Sequence, residues 1–377
     1  MKFFNRSIQP QIEAKLFKGK AIIIYGPRQV GKTVLCKTLL KQQENSIYLN
    51  CDEPDIEKAL TEKTSTALKQ YIGKKNFVII DEAQRVKNIG ITLKLLIDNY
   101  PEMQVIATGS SSFELANEIS EPLTGRAFEF QLFPLSLEEM SQEMSRIEIH
   151  RNLNNFLRFG SYPEMVANDF ENAKESSTLL AQNYLYKDIL KFENLKSPEL
   201  LEKILQALAL QIGNEVSYTE LASLLSVNKI TIEKYIDLLE KSFVIFRLNP
   251  FSRNLRKELG KMKKIYFYDL GIRNSLIQNF NTMELRNDTG NLFENFCISE
   301  RIKYNVYNGE SPNIYFWRTY DKKEIDFIEE QGGKLAGFKF KWKKDRFKKP
   351  DEFLKTYANS SIELINQENY LDWLVGK

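Results

Sequence analysis

No stretch of this chain restricts its fold more than Gly26-Pro27-Arg28-Gln29-Val30-Gly31-Lys32-Thr33, which fits the phosphate-binding pattern G-x-x-x-x-G-K-[ST]. Ahead of it, Ala21-Ile22-Ile23-Ile24-Tyr25 reads as a buried strand, and behind it Thr33 to Gln43 reads as a helix. The motif needs this strand-to-helix junction. Its glycines let backbone N–H groups turn inward at a helix N-terminus, where the aligned peptide dipoles favour an anion. Lys32 would then reach the β- and γ-phosphates, and the Thr33 hydroxyl would ligate Mg²⁺. Gly26, Pro27, Arg28, Gln29, Val30, Gly31, Lys32 and Thr33 are therefore the expected nucleotide-binding residues, and ATP with Mg²⁺ the expected cofactors, although GTP fits the same loop.

A second strand, Phe77-Val78-Ile79-Ile80, runs into Asp81-Glu82. At the carboxyl edge of a parallel sheet, Asp81 would hold the metal, often through water, and Glu82 would orient and deprotonate the attacking water. The strands Ala21 to Tyr25, Ser46 to Leu49, Phe77 to Asp81, Gln104 to Thr108 and Phe128 to Leu132 alternate with helical patterns, which implies a parallel α/β sheet. After the fourth strand comes Thr108-Gly109-Ser110-Ser111-Ser112. Ser110 is the candidate γ-phosphate sensor, with Thr108 in competition and an ordinary βα turn as the alternative.

The chain has 377 residues, 42% of them hydrophobic, enough to bury the cores of two or three domains. The 53 Lys and Arg against 50 Asp and Glu leave a formal charge of +3, so a nucleic-acid argument must rest on local clusters. Cys36, Cys51 and Cys297 lack metal or redox spacing and suit a reducing compartment. No apolar run approaches membrane-spanning length, so the expectation is a cytoplasmic protein without a membrane partner.

From Ser141 to Leu210 the pattern turns helical, punctuated by Gly160-Ser161-Tyr162-Pro163 and Ser197-Pro198, and reads as a lid-like connector. Its aromatics Phe156, Phe159, Tyr184 and Tyr186 recur at helical spacing and read as core. The lone His150 sits in polar company and reads as a surface residue. Thr219 to Leu225, a turn at Ser226-Val227-Asn228, and Lys229 to Leu239 form a helix-turn-helix pattern. Strands at Val244 to Leu248 and Ile265 to Tyr268 would flank a basic wing carrying Arg253, Arg256, Lys257, Lys261, Lys263 and Lys264. Phosphate contact makes Arg253, Arg256, Lys257 and Lys261 the DNA-binding candidates, while a protein-interaction module is the competing reading.

The end of the chain contains Asn291-Leu292-Phe293-Glu294-Asn295-Phe296, Tyr315 to Thr319, Glu324-Ile325-Asp326-Phe327-Ile328 and Gly337-Phe338-Lys339-Phe340-Lys341-Trp342. Together with the phosphate loop, Asp81-Glu82-Ala83-Gln84, Gly125-Arg126 and the helix-turn-helix, these segments resemble the prokaryotic AAA-type ATPases that end in a domain of unknown function similar to PD-(D/E)xK nucleases. The resemblance runs from about Gln9 to Leu374. It implies an α/β protein: an AAA+ P-loop parallel sheet over 1–140, a helical lid over 141–210, a winged helix-turn-helix over 211–270 and a restriction-endonuclease-like α/β domain over 271–377. In an oligomeric AAA+ ATPase an Arg placed like Arg126, after Leu123-Thr124-Gly125 and before the fifth strand, reaches a neighbouring subunit's γ-phosphate, which implies a homo-oligomer. A structural role, paired with Glu129 or capping the preceding helix, is the alternative.

An active nuclease of that fold gathers a helix Glu, a strand Asp and a Glu-x-Lys cluster around Mg²⁺. Glu294, Asp326 and Lys341 match three of those positions, but Lys339 stands where the second Glu belongs and argues against cleavage. The basic run Lys339, Lys341, Lys343, Lys344, Arg346, Lys348 and Lys349 would grip a phosphate backbone or form a solvated face. Three functions follow: an ATPase that couples hydrolysis to conformational change or assembly on DNA, a slow nucleotide switch acting on a protein partner, and an ATP-regulated nuclease.

Overall fold

Apolar runs flanked by helical patterns build the first sheet. The computed structural model describes residues 2–109, 122–187, 197–252, 262–319, 321, 323–343 and 347–376, with the side chains of 184–187 also outside the description. Ser110, Arg253, Arg256, Lys257 and Lys261 thus lie outside the described residues. The chain divides into two compact units, Asn5–Pro134 with Lys241–Phe243, and Met1–Phe4 with Leu135–Glu240 and Val244–Lys377.

In the first unit, β1 (Ala21–Tyr25), β2 (Ser46–Asn50), β3 (Phe77–Asp81), β4 (Gln104–Gly109) and β5 (Ala127–Gln131) form an all-parallel sheet in the order β2-β3-β4-β1-β5. The five strands occupy the stretches expected from the sequence. β1, β3 and β4 are buried along their whole length, which is why their sequences are nearly continuous apolar runs instead of alternating ones. Ile22 pairs with Ile106, Ile24 with Thr108, and Ile80 with Ala107, so the carboxyl ends of β1, β3 and β4 finish side by side. From β1 the chain crosses past β4 and β3 to the edge strand β2. Open parallel sheets bind ligands in the crevice at carboxyl ends where the strand order reverses in this way.

The second unit holds a seven-stranded mixed sheet, ordered β12-β11-β10-β9-β7-β8-β6. Its strands are β6 (Glu215–Val216), β7 (Ile245–Pro250), β8 (Lys263–Phe267), β9 (Asn313–Arg318), β10 (Glu324–Gln331), β11 (Lys334–Phe340) and β12 (Ser360–Ile365). Two helices, Tyr218–Leu224 and Lys229–Lys241, meet at a short turn and lead into the antiparallel pair β7 and β8. The Ser217 side chain caps the first helix, and the Asn228 carboxamide accepts from the Ile230 N–H at 2.8 Å to open the second. β7 also pairs in parallel with β9 through Asn249 and Pro250, which makes one sheet of strands from the helix-turn-helix region and from the C-terminal region. Phe251, just past β7, is buried in an apolar cluster with Trp317, Ile325, Ile328, Leu335, Phe353 and Ile362.

Between these elements the chain is helical over Arg146–Phe159, Pro163–Ala167, Ala173–Lys187 and Pro198–Leu210. Phe156 is buried and stacks on Phe296, Phe159 on Phe280, and His150 is exposed beside Tyr370. Tyr184 and Tyr186 fall among the undescribed side chains. Among the described residues no helix is long and apolar enough to cross a membrane.

Gly160 shows how tightly this unit is fixed. It ends the helix Arg146–Phe159 at φ +77°, and a Cβ there would fall 2.1 Å from Asp269 Oδ1. Asp269 cannot retreat, because its carboxylate accepts from the Ser161 N–H at 2.8 Å and caps the helix Leu270–Leu276 through the Ile272 N–H at 3.1 Å. Gly160→Ala combines a left-handed Ala with overpacking and is expected to destabilise this unit by about 2–4 kcal/mol. Urea unfolding with a probe in this unit checks it; an unchanged midpoint would show that the clasp yields.

Candidate functional site

The phosphate loop closes on its own lysine. Gly31, left-handed at φ +100°, begins the helix Lys32–Lys41, and Gln29 is left-handed as well. Lys32 is buried, and its Nζ donates to the carbonyls of Gly26 at 2.7 Å and Pro27 at 2.8 Å. The ammonium thereby holds the loop in a curve before any phosphate arrives. Gly26 is required by close approach, since a Cβ there would meet the Leu132 carbonyl at 2.1 Å. Behind the loop, Arg6 is buried, donating to the carbonyls of Val30 and, at 2.6 Å, Phe133.

Asp81, at the end of β3, is the centre of the site. Its Oδ2 accepts from Thr33 Oγ1 at 2.8 Å and from the Tyr48 hydroxyl. Its Oδ1 accepts from the Thr108 hydroxyl and from the Glu82 N–H at 3.2 Å. Thr108 Oγ1 is in turn within 3.3 Å of the same N–H. Asp81 is 2% exposed, so these donors replace the water its carboxylate gave up. Glu82 follows with a left-handed backbone, φ +53°, which turns its side chain out of the strand, and Gln84 Nε2 donates to its Oε2 at 2.6 Å.

The fit to a hard divalent cation rests on this arrangement. A hydroxyl and a carboxylate, both oxygen ligands, lie side by side next to the loop, and the Thr33 hydroxyl, donating its hydrogen bond to Asp81, keeps its lone pairs for a metal. Burial and the neighbouring Asp81 push the Cys36 thiol far above its ordinary range, so it stays neutral and inert. Burial and the bond to Asp81 likewise push the Tyr48 hydroxyl up, which keeps it a donor.

The structure therefore brings together Lys32, Thr33, Asp81 and Glu82. It adds Thr108, the alternative to Ser110, and two residues that sequence reasoning missed, Tyr48 and Gln84. A signal for Tyr48 exists in the pleat: Asn50 pairs with Asp81, and Tyr48, two residues back on β2, shares Asn50's face. Arg126 is not brought to this loop. Ala21 pairs with Ala127, so Arg126 stands at the amino end of β5, whereas the phosphate loop leaves β1 at its carboxyl end. Arg126 is half-exposed and paired with Asp98 at 2.7 Å, not with the Glu129 that the structural alternative named.

A second charged cluster lies in the other unit. Lys264 Nζ contacts Glu294 Oε1 at 3.0 Å and Glu324 Oε1 at 2.6 Å. Lys339 Nζ contacts Asp326 Oδ1 at 2.5 Å and Glu324 Oε2 at 3.9 Å. The Tyr266 hydroxyl donates to Glu294 at 2.6 Å, and the Phe340 N–H to Asp326 Oδ2 at 2.9 Å. Glu294 and Asp326, read from the sequence as matching nuclease positions, do converge. Lys264 corrects the sequence reading that placed it in a basic wing, and Lys339 corrects its reading as part of a basic run while standing, as also read, beside the acidic positions: Lys264 is 1% exposed and Lys339 largely buried, each bound to carboxylates. Burial next to Glu294 pushes the Asp326 carboxyl up.

Comparison with known proteins gives a family match over the stretch that contains the first site. Residues 18–141 match the family model described as an AAA domain; 150–283 and 289–369 match two domains of unknown function (DUF8612 and DUF4143). An uncharacterized protein of Methanocaldococcus jannaschii is 26% identical over 348 residues, covering 85% of this chain and 74% of that protein. An uncharacterized protein of Haemophilus influenzae is 25% identical over 398 residues, covering 94% of each. The solved Walker-type ATPase of Pyrococcus abyssi superposes with a TM-score of 0.52 at 15% identity, covering 73% of this chain and 96% of that one, which is a likeness of fold. Residues 18–141 thus carry an AAA-type P-loop domain.

Thr108 separates a hydrogen-bonding role from packing. Thr108→Val keeps the shape but leaves buried Asp81 short of one donor, and is expected to cost about 1–3 kcal/mol, whereas Thr108→Ser should stay near the parent. Thermal unfolding of both variants is the measurement; equal stabilities would mean the hydroxyl contributes nothing to holding Asp81.

Proposed function

We propose that this protein binds ATP with Mg²⁺ and hydrolyses it to ADP and phosphate. The observation that carries the reading is the single hydrogen-bonded cluster of Thr33, Asp81, Thr108 and Glu82 beside a loop curved around Lys32. Thr33, and Asp81 through water, would hold Mg²⁺, which supplies neutralisation of the β- and γ-phosphate charge. The loop's N–H groups and Lys32 bind and orient the phosphates. Glu82, held by Gln84, takes a proton from water as that water attacks the γ-phosphorus, and the bond to the β,γ-bridging oxygen breaks, leaving ADP. Arg126, half-exposed at the amino end of β5, would serve the γ-phosphate of a neighbouring subunit in a homo-oligomer.

Three variants should fail differently. Lys32→Ala is expected to lose ATP binding, Glu82→Gln to bind ATP but lose hydrolysis by a factor of about 10²–10⁴, and Arg126→Ala to bind ATP with depressed turnover that a Glu82→Gln partner restores on mixing. Affinity and turnover measured on each decide the roles. Parent-like turnover in Glu82→Gln would remove it as the base, and absence of recovery on mixing would return Arg126 to its pair with Asp98.

The work done by hydrolysis is proposed to be conformational change or assembly on DNA. Support comes from the helix-turn-helix followed by β7 and β8, the arrangement of a winged helix, and from the basic residues Arg253, Arg256, Lys257 and Lys261 in the connection between those strands. The C-terminal region is proposed to be a nuclease-like module without cutting activity. A second reading, a slow nucleotide switch on a protein partner, is favoured by Leu224 and Ile230, 68% and 59% exposed on either side of the helix-turn-helix turn. Neutralising Arg253, Arg256 and Lys257 together separates the two. On DNA, each lost phosphate contact should lower the log–log salt slope of binding by roughly 0.7–0.9. Basal hydrolysis should not change. An unaltered affinity and slope would favour the protein partner.

A further inference from the structure

We infer that Lys264 and Lys339 are the permanent cations of the carboxylate cluster in the second unit, filling the place where a nuclease of the resembled fold would hold a divalent metal ion. Sequence pointed to Lys339 alone, as a substitution for a ligand. Lys264 comes from a separate strand, β8, and reaches the same cluster from the other side of Glu324.

Glu294, Glu324 and Asp326 bring three carboxylates, and the two ammonium groups bring two positive charges, the same charge as one divalent ion. The lysines are shared as a bridging metal would be: Lys264 between Glu294 and Glu324, Lys339 between Glu324 and Asp326. Tyr266 donates to the same Glu294 Oε1 that Lys264 contacts, and the Phe340 N–H engages Asp326 Oδ2. Mg²⁺ demands several oxygens at about 2.0–2.1 Å in near-octahedral array. Two ammonium groups at hydrogen-bonding distance from the same oxygens block that array sterically and repel a further cation. The donor set therefore does not fit the metal the resemblance implies.

The arrangement also explains why such a polar cluster persists in a buried place. Each carboxylate left without its lysine would be an uncompensated buried charge, so the five groups stand or fall together. This inference concerns only these residues and does not depend on ATP hydrolysis.

The test uses full-length, nucleotide-free protein with Mn²⁺ alone as the probe, and Asp81→Asn in every variant so that the phosphate-loop carboxylate takes no metal. Thermal unfolding and the loss of the free-Mn²⁺ EPR signal are read together. The protein with both lysines should show no Mn²⁺ response that depends on Asp326. Lys264→Met with Lys339→Met should unfold at lower temperature, recover with Mn²⁺, and gain Mn²⁺ affinity on the order of tenfold or more as the site's net negative charge rises. Adding Asp326→Asn should abolish that gain. If the double variant folds only with Mn²⁺, the inference is supported; if it does not fold at all, Lys339→Gln alone is read the same way. Two results overturn the inference: Mn²⁺ binding that Asp326→Asn removes while both lysines are present, or a folded lysine variant that takes up no Mn²⁺.

Discussion

The hydrogen bonding of one buried carboxylate, Asp81, organises the first unit. Its donors come from the helix after β1, from β2, from β4 and from the turn after β3, so four separate pieces of chain are fixed relative to one side chain. A buried carboxylate is costly unless each lone pair is met. Meeting them forces the carboxyl ends of the central strands into register, and the resulting crevice is where phosphates would lie. The same constraint gives Thr33 its orientation and places the Glu82 side chain outside the strand.

The second unit solves the same electrostatic problem differently. At Asp81 the partners are neutral hydroxyls and an amide, which leave the carboxylate's charge available to attract a cation. At Glu294, Glu324 and Asp326 the partners are ammonium groups, which use the charge up. Acidic residues at the ends of β-strands therefore do not by themselves mark a metal site. What decides is whether the compensating charge is already built into the chain.

Much of the first site was legible because its signals are local. A phosphate loop is contiguous, its glycines and lysine act within one turn, and the strands around it are buried on both faces and so appear as unbroken apolar runs. Tyr48, Gln84 and Thr108 were less visible. Gln84 follows Glu82 closely, but its amide acquires meaning only once the backbone at Glu82 turns left-handed. Tyr48 lies far from Asp81 in the chain, and its part depends on β2 pairing with β3 in one register; a slip of one residue would turn its hydroxyl to the opposite face. Arg126 was legible only as a residue for a neighbouring subunit, and its pair with Asp98 at the amino end of β5 could not be read from the chain because Asp98 is distant in sequence.

By itself the sequence determined that this chain builds a parallel sheet around a phosphate loop, because strand burial, glycine placement and the Lys-Thr pair are properties of short contiguous segments. It also disclosed the helix-turn-helix, through helical periodicity interrupted at Ser226-Val227-Asn228. Only the tertiary structure decided which charges meet. Lys264 reads as a wing cation in a linear chain and Lys339 as a cation in a ligand's place or part of a basic run; β8, β10, β11 and the helix Thr289–Tyr307 fold both onto Glu294, Glu324 and Asp326. Side-chain electrostatics act through space over a few ångströms, whereas sequence patterns report neighbours along the chain, and the two coincide at the phosphate loop and part company at the buried lysines.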